Sequence, residues 1–267
     1  MAKMRRVGIY FRHDTETQKK VQELISWLEE KGYKVFLPPL PDNFDLMIVL
    51  GGDGSLLRAA RVVWPREIPI LGINCGELGF LATVNKDESY EMITKVLKGE
   101  FEVEKRMVLE GTLIKKDKEQ GPFMALNEVA IERGAYTHLI SLALYVGNLS
   151  VTSLRADGII VATPTGSTAY SLSAGGPIVH PALDALIVTS ICPFHLVHRS
   201  LVLPPECLVG VVVEKGGEGV RIVLDGQVFI PLEVGDRVEI KKSQYPIYLI
   251  KNGKYFQTLN QKLCWGC

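Results

Sequence analysis

The sequence predicts an α/β domain followed by an all-β domain, and three observations carry that expectation. Over residues 1–100, apolar strand-like runs alternate with segments whose apolar residues recur at helical spacing. Beyond about Phe101 the helical periodicity fades. From there on, short β-rich runs are separated by turn-forming pairs.

Taken in order, Arg6 to Phe11 (RVGIYF) reads as a buried strand. A helix follows, opened by Thr15 and Gln18 at capping-box spacing. Its residues Val21, Leu24, Ile25 and Leu28 fall on one face, and Gly32 is its stop. Tyr33 to Leu37 reads as a strand, followed by a proline-rich turn and a strand over Asp45 to Leu50. After a glycine loop, Ser55 to Val63 reads as a helix and Ile68 to Asn74 as a fourth strand. A last helix covers about Glu88 to Lys98 and ends at Gly99. Strands alternating with helices imply a parallel sheet covered on both faces, so residues 1–100 read as a Rossmann-like domain.

In residues 101–250, strand runs at Leu208 to Glu214, Val220 to Leu224, Arg237 to Lys242 and Pro246 to Ile250 stand among good turn formers. Those are Gly216-Gly217, Asp225-Gly226 and Gly235-Asp236. This part reads as a β-sandwich of two packed sheets. The segment from about 251 to 267 is expected to pack back on the first domain.

Composition narrows the function classes. With 47% hydrophobic and 22% charged residues the chain has the make-up of an ordinary globular protein. Lys+Arg and Asp+Glu both number 30, so no net field draws a polyanion, and nucleic acid is not an expected partner. The opening MAKMRRVGIYFRHD lacks the form of a signal peptide, and no apolar run approaches the ~20 residues of a membrane helix. A cytoplasmic setting without a membrane partner is expected. The 5 cysteines are too few and too scattered for a secreted disulfide framework, and Cys264 with Cys267 makes at most half a zinc site. His13, His180, His195 and His198 show no metal-ligand spacing, so no metal held by protein side chains is expected.

Three stretches carry chemistry. In the first, Gly51-Gly52-Asp53-Gly54 follows a strand and precedes a helix. Glycines there let backbone N–H groups approach phosphate oxygens, and the helix dipole points the same way. Asp53 repels phosphate; it suits accepting a proton from an attacking hydroxyl, or binding a cation that accompanies the phosphates. The plain alternative is a tight turn with an N-capping aspartate. In the second, Asn127-Glu128 sits inside the apolar run MALNEVAIERG, where an amide and a carboxylate are costly without partners. They suit the hydrogen-bonding edge of an adenine or a ribose; the alternative is an exposed strand edge. In the third, Arg155 to Pro177 is rich in small hydroxyl residues with one aromatic, Tyr170. That mixture suits a flat, polar, phosphate-bearing ligand such as a dinucleotide, the alternative being a surface loop.

Together these residues resemble the NAD kinase family. Gly51-Gly52-Asp53-Gly54 matches its glycine-aspartate motif, and Asn127-Glu128 its Asn-acidic pair, in which Asp is commoner at the second position. Asp157-Gly158 followed by Thr163-Pro164-Thr165-Gly166-Ser167-Thr168-Ala169-Tyr170 matches its longest signature. Asn74-Gly76-Leu78-Gly79-Phe80-Leu81, the Cys192-Pro193 to Arg199 stretch and Leu224-Asp225-Gly226-Gln227 match further. The resemblance spans nearly the whole chain in the right order. Phe194 and Ser200 stand where the family more often has His and Pro, which implies local packing differences.

The resemblance implies transfer of the γ-phosphoryl group of ATP to the 2′-hydroxyl of the adenosine ribose of NAD, with Asp53 as general base. Gly51, Gly52, Gly54 and Arg58 would meet the ATP phosphates, with Mg²⁺ arriving on ATP. Asp53, Gly54 and Arg58 would also border NAD. Asn127 and Glu128 would contact its adenosine and ribose, with Arg155 and Asp157 near the nicotinamide end. Thr168, Ala169, Tyr170, Ser171, Leu172 and Ser173 would line the pocket, and His138 and Gln227 would touch the dinucleotide. A homo-oligomer, dimer or tetramer, is implied as well. Phosphofructokinases and diacylglycerol-type lipid kinases share the glycine-aspartate loop, but they account neither for Thr163 to Tyr170 nor for the missing basic cluster beside the loop. A catalytically silent dinucleotide sensor would have no need of Asp53.

Overall fold

The computed structural model describes residues 4–264 except 13, 77–78, 83, 117, 136, 196, 252 and 254. His13, Leu78 and Cys267, singled out above, lie outside the described residues. The chain divides into two compact units, Met1–Lys105 with Ile247–Cys267, and Arg106–Pro246.

In the first unit, β1 (Arg6–Phe11), α1 (Thr15–Glu30), β2 (Lys34–Phe36), β3 (Leu46–Leu50), α2 (Asp53–Val63), β4 (Ile70–Asn74), β5 (Val84–Asn85), α3 (Ser89–Leu97) and β6 (Val103–Arg106) follow one another. The sheet runs β2-β1-β3-β4, then the strand Ile247–Ile250, then β6, with β5 also on β4. Pairing is parallel from β2 through β4 and on to Ile247–Ile250. The runs LMIVL of β3 and ILGIN of β4 are buried at every position, as a parallel sheet covered on both faces requires.

Two helix starts differ from expectation. The cap of α1 is Asp14, whose carboxylate accepts from Thr17 N–H at 3.0 Å and from Thr17 Oγ1 at 2.7 Å. An aspartate is the stronger N-cap, so the helix is capped one residue ahead of Thr15. Helix α2 opens at Asp53 rather than Ser55, with Gly52 at the cap making no side-chain cap bond. An acid in the first turn is favoured by the helix dipole, and that outweighs the poor helix propensity of Gly54. The apolar stripe of α1 is as read, with Val21, Leu24 and Leu28 buried. Gly32 and Gly99 close α1 and α3 at φ +81° and +83°, a region where a Cβ is penalised.

Strand Ile247–Ile250, read from sequence with the β-rich half, pairs in parallel with β4, Leu249 opposite Ile70. A short apolar run fits either kind of sheet, and nothing local names its partner.

The order 2-1-3-4 means that the connections leaving β1 and β3 run to opposite sides. A crevice at the carboxyl ends of those strands results, the usual ligand position in such sheets. Arg12 N–H bonds Leu50 O at 3.0 Å, and Gly51 N–H bonds Ile73 O at 3.0 Å, tying the ends of β1, β3 and β4 together.

The second unit contains β7 (Leu109–Lys115), β8 (Lys118–Ala125), β9 (Glu128–Glu132), β10 (Ile140–Val146), β11 (Leu149–Ala156), β12 (Gly158–Ala162), α4 (Tyr170–Ser173), β13 (Leu186–Ile191), β14 (Leu201–Leu203), β15 (Val209–Lys215), β16 (Arg221–Leu224), β17 (Val228–Pro231) and β18 (Arg237–Lys242). They form two six-stranded sheets, β11-β10-β15-β18-β7-β8 and β14-β13-β12-β9-β16-β17. Leu142, Val211 and Ile240 of the first share one core with Val129, Ile131, Val161 and Leu224 of the second. The alternate residues Ala130, Ile160, Ala162 and Val223 face the other way, onto Ala174 and Val179. The second sheet is thus covered on its outer face by the segment after β12. This coverage puts the hydroxyl-rich run against the sheet rather than in solvent.

Candidate functional site

In the first unit the site is built on Asp53. Its carboxylate is held by the loop after β4: Phe80 N–H donates to Oδ2 at 2.7 Å, and Leu81 and Ala82 N–H donate to Oδ1 at 2.9 and 3.0 Å. A Cβ on Gly79 would run into that carboxylate, and one on Gly51 would lie 2.8 Å from Ser55 Cβ. Asn74, buried at the end of β4, accepts from Gly76 N–H at 2.9 Å through Oδ1. Gly51, Gly52, Asp53 and Gly54 therefore share one strand end and one helix start, and Arg58 lies exposed one turn along α2. The grip on Asp53 from Phe80 to Ala82 joins residues 27 to 29 positions apart, beyond the reach of local sequence patterns. The Gly79-Phe80-Leu81 match was its only sequence signal.

In the second unit, Asn127 and Glu128 lie where β9 begins, and the plain alternative of an exposed strand edge falls. Strand β9 is central, between β12 and β16, and Glu128 is 4% exposed. Asp225 organises this corner: its carboxylate accepts from Asn127 N–H at 2.8 Å, Leu126 N–H at 3.2 Å and Glu128 N–H at 3.3 Å. Its φ of +51° places it in the tight β16–β17 connection, which also carries Gln227. The sequence marks Asp225 only as a turn former within a family match; its role at this corner depends on partners about a hundred positions away.

Asp225→Ala would leave those three N–H groups without their acceptor. A net loss of roughly 2–4 kcal/mol in urea unfolding is expected. A midpoint equal to wild type would remove this role.

The hydroxyl run is structural as well as polar. Thr163 Oγ1 donates to Leu126 O at 2.7 Å and accepts from Gly166 N–H at 3.0 Å. Gly166 packs so closely on Asn127 that a Cβ would overlap its backbone. Ser167 Oγ donates to Pro164 O at 2.7 Å and accepts from Val179 N–H at 3.0 Å. Thr163, Thr165, Ser167 and Ser171 are buried, which excludes a plain surface loop, whereas Tyr170 and Ser173 are exposed and Thr168, Ala169 and Leu172 are half-buried.

Two buried oxygens here, Glu128 Oε2 and Thr165 Oγ1, meet no hydrogen-bond partner. Burial first, and the charge of Asp225 second, push the Glu128 carboxyl up to about 8, against a hydrogen bond from Tyr170 N–H that favours ionisation.

Arg155, Asp157 and His138 sit at the other end of the same sheets. Gly158 pairs Glu132 while Ala162 pairs Glu128, so strand β12 separates Asp157 from Asn127. Ile140 pairs Ala156, which brings the exposed His138 near the Arg155–Asp157 end. Asp157 is ion-paired with Arg133 at 2.6 Å, and the Arg155 guanidinium lies 5.3 Å from the Phe194 ring centroid. The two departures from the family pattern thus have partners. Phe194 packs under Arg155, and Ser200 Oγ accepts from Thr189 Oγ1 at 3.0 Å, which in turn lies 3.3 Å from Ser171 Oγ. Cys264 is a free thiol, and among the described residues no group of three or more His, Cys, Asp or Glu could hold a metal ion.

Comparison with known proteins bears on both units. The family model described as the ATP-NAD kinase N-terminal domain matches residues 10–101, and the one described as the ATP-NAD kinase C-terminal domain matches residues 126–252. A curated NAD kinase from Syntrophotalea carbinolica is 40% identical over 98% of this chain and 99% of its own length. One from Thermoanaerobacter sp. is 44% identical over 94% of this chain and 89% of its own. Among solved structures, yeast NADH kinase complexed with NADH superposes with a TM-score of 0.90 at 28% identity, covering 100% of this chain and 89% of that one. An NAD kinase from Archaeoglobus fulgidus in complex with ATP gives 0.81 at 32% identity, covering 97% and 98%.

Proposed function

This chain belongs to the ATP-NAD kinase family and is a phosphotransferase with NAD as acceptor; we propose that Asp53 is its general base. In this reading the 2′-hydroxyl of the adenosine ribose gives its proton to Asp53 as its oxygen bonds the γ-phosphorus of ATP. The bond from that phosphorus to the β–γ bridging oxygen breaks, and ADP leaves. The observation that carries the reading is a carboxylate fixed by backbone N–H groups at the start of α2, at the carboxyl end of a parallel sheet. Phosphoryl transfer asks mainly for alignment and charge neutralisation, which such a small set of groups can supply. Gly51, Gly52 and Gly54 let backbone meet the ATP phosphates, and Arg58 adds a positive charge one turn further.

Mg²⁺ arrives with ATP in this proposal, and when bound it neutralises phosphate charge. Three backbone N–H groups already engage the Asp53 carboxylate and its base role takes what is left, so in this proposal the ATP phosphates hold the ion.

For NAD we assign Asn127 and Glu128 to the adenosine, with Thr168 to Ser173 and Gln227 around it. The unpartnered Glu128 Oε2 and Thr165 Oγ1 support a polar ligand at this corner. His138, Arg155 and Asp157 belong to the nicotinamide end in this proposal. The length of β12 separates the two groups, roughly 14 Å at 3.4 Å per residue, a span suited to an extended dinucleotide. The proposal also includes a cytoplasmic setting and a homo-oligomer, dimer or tetramer. No helix among the described residues is long and apolar enough to cross a membrane.

Incubation with ATP, Mg²⁺ and NAD is expected to yield NADP and ADP. Absence of NADP with every donor tried would sink the assignment.

A further inference from the structure

Asp53 is an unusual base in that it is already well occupied. A carboxylate has about four acceptor positions on its two oxygens. Leu81 and Ala82 N–H occupy both positions on Oδ1, and Phe80 N–H occupies one of the two on Oδ2. One position, on Oδ2, is left over.

The donors come from 27, 28 and 29 residues downstream, so the loop after β4 sets the carboxylate's orientation, not the helix that carries it. The loop reaches Asp53 only because of two glycines. At Gly79 a Cβ would occupy the space of the Asp53 carboxylate itself. At Gly72, on β4, a Cβ would lie 3.0 Å from Ala82 Cα and 2.8 Å from Leu56 Cδ1, so the loop is seated directly on the strand beneath it. Gly72 has no positive φ, so backbone freedom does not explain it. Close approach does.

We propose that the Phe80–Ala82 loop is the positioning device for Asp53, with Gly79 its indispensable residue, and that it leaves one acceptor position on Oδ2 for the acceptor hydroxyl. This rests on Asp53 being the base. It adds that turnover depends on a loop whose side chains need not touch either substrate. Gly79 acts through Asp53 and is a positioning residue, not a catalytic one.

The test is a double-mutant cycle on purified enzyme. Gly79→Ala is expected to lower kcat roughly 10–100-fold, as a displacement of about 1 Å does, while KM for NAD and for ATP stay within about two-fold of wild type. Once Asp53 is Asn, the same methyl is expected to cost kcat almost nothing further, because both changes act on one group. Losses that simply multiply would overturn the proposal, as would Gly79→Ala at full turnover. If Asp53→Asn itself keeps full turnover, the base assignment fails, and the cycle reports that separately.

Hydrogen exchange supplies a second measurement that does not depend on how Gly79→Ala folds. The amides of Phe80, Leu81 and Ala82 are expected to exchange about ten-fold or more faster in Asp53→Ala than in wild type, each having lost its acceptor. Unchanged protection at all three would overturn the positioning role.

Discussion

Asp53→Asn is expected to lower kcat by roughly 10²–10⁴-fold, the usual contribution of a positioned base, with NAD affinity nearly unchanged. The substitution keeps the size and shape of the side chain but removes its capacity to take a proton. It is not fully neutral for the loop. With its oxygen toward Leu81 and Ala82, the new amide turns its NH₂ group toward Phe80 N–H, setting donor against donor where wild type has a 2.7 Å bond. A stability loss of about 1–3 kcal/mol is expected from that one conflict, too small to account for four orders of magnitude in rate if the protein remains folded. Circular dichroism and calorimetric titration with NAD separate the two effects. Full turnover in a folded variant would remove Asp53 as the base.

How much of this was legible in sequence depended on whether a residue's partners were near it in the chain. Strand β1 came out with the same limits, Arg6–Phe11, because a buried apolar run is its own signal. The stripe of α1 and the stops at Gly32 and Gly99 were equally local. Even local patterns failed where two solutions lay within hydrogen-bond reach, as at Asp14 and Thr15. Strand β5, two residues long, has no periodicity to detect.

The site was legible as a set of residue types but not as an arrangement. The glycine-aspartate loop announced phosphate chemistry, yet nothing beside it foretold that backbone from Phe80 to Ala82 would hold the aspartate. Glu128 illustrates the same limit. From its neighbours alone it could have been an edge residue. Its burial follows from β12 and β16 pairing on either side of β9, and those strands lie far along the chain.

Glu128→Gln is expected to stabilise the protein, and the gain should grow with pH. A folded-state value near 8 against the usual 4.5 means that below about 4.5 folded and unfolded chains both hold the proton. Between about 4.5 and 8 the unfolded chain releases it while the folded chain retains it. The native state then binds more protons than the unfolded one, so stability falls as pH rises through this window and levels off above it. A tenfold change in proton affinity is about 1.4 kcal/mol, so the full penalty at alkaline pH is on the order of 5 kcal/mol. Glutamine keeps an oxygen for Tyr170 N–H but does not titrate. Its Tm should stay close to wild type at pH 5 and exceed it by several degrees at pH 8.5. A gap that stays flat across that range would show that Glu128 ionises normally despite its burial. The penalty is tolerable if Glu128 works as a neutral acid: a protonated Oε2 gives this corner a donor that a carboxylate lacks, available to an acceptor atom of the adenosine. NAD affinity should accordingly weaken in wild type as pH rises past about 8, and lose that dependence in Glu128→Gln.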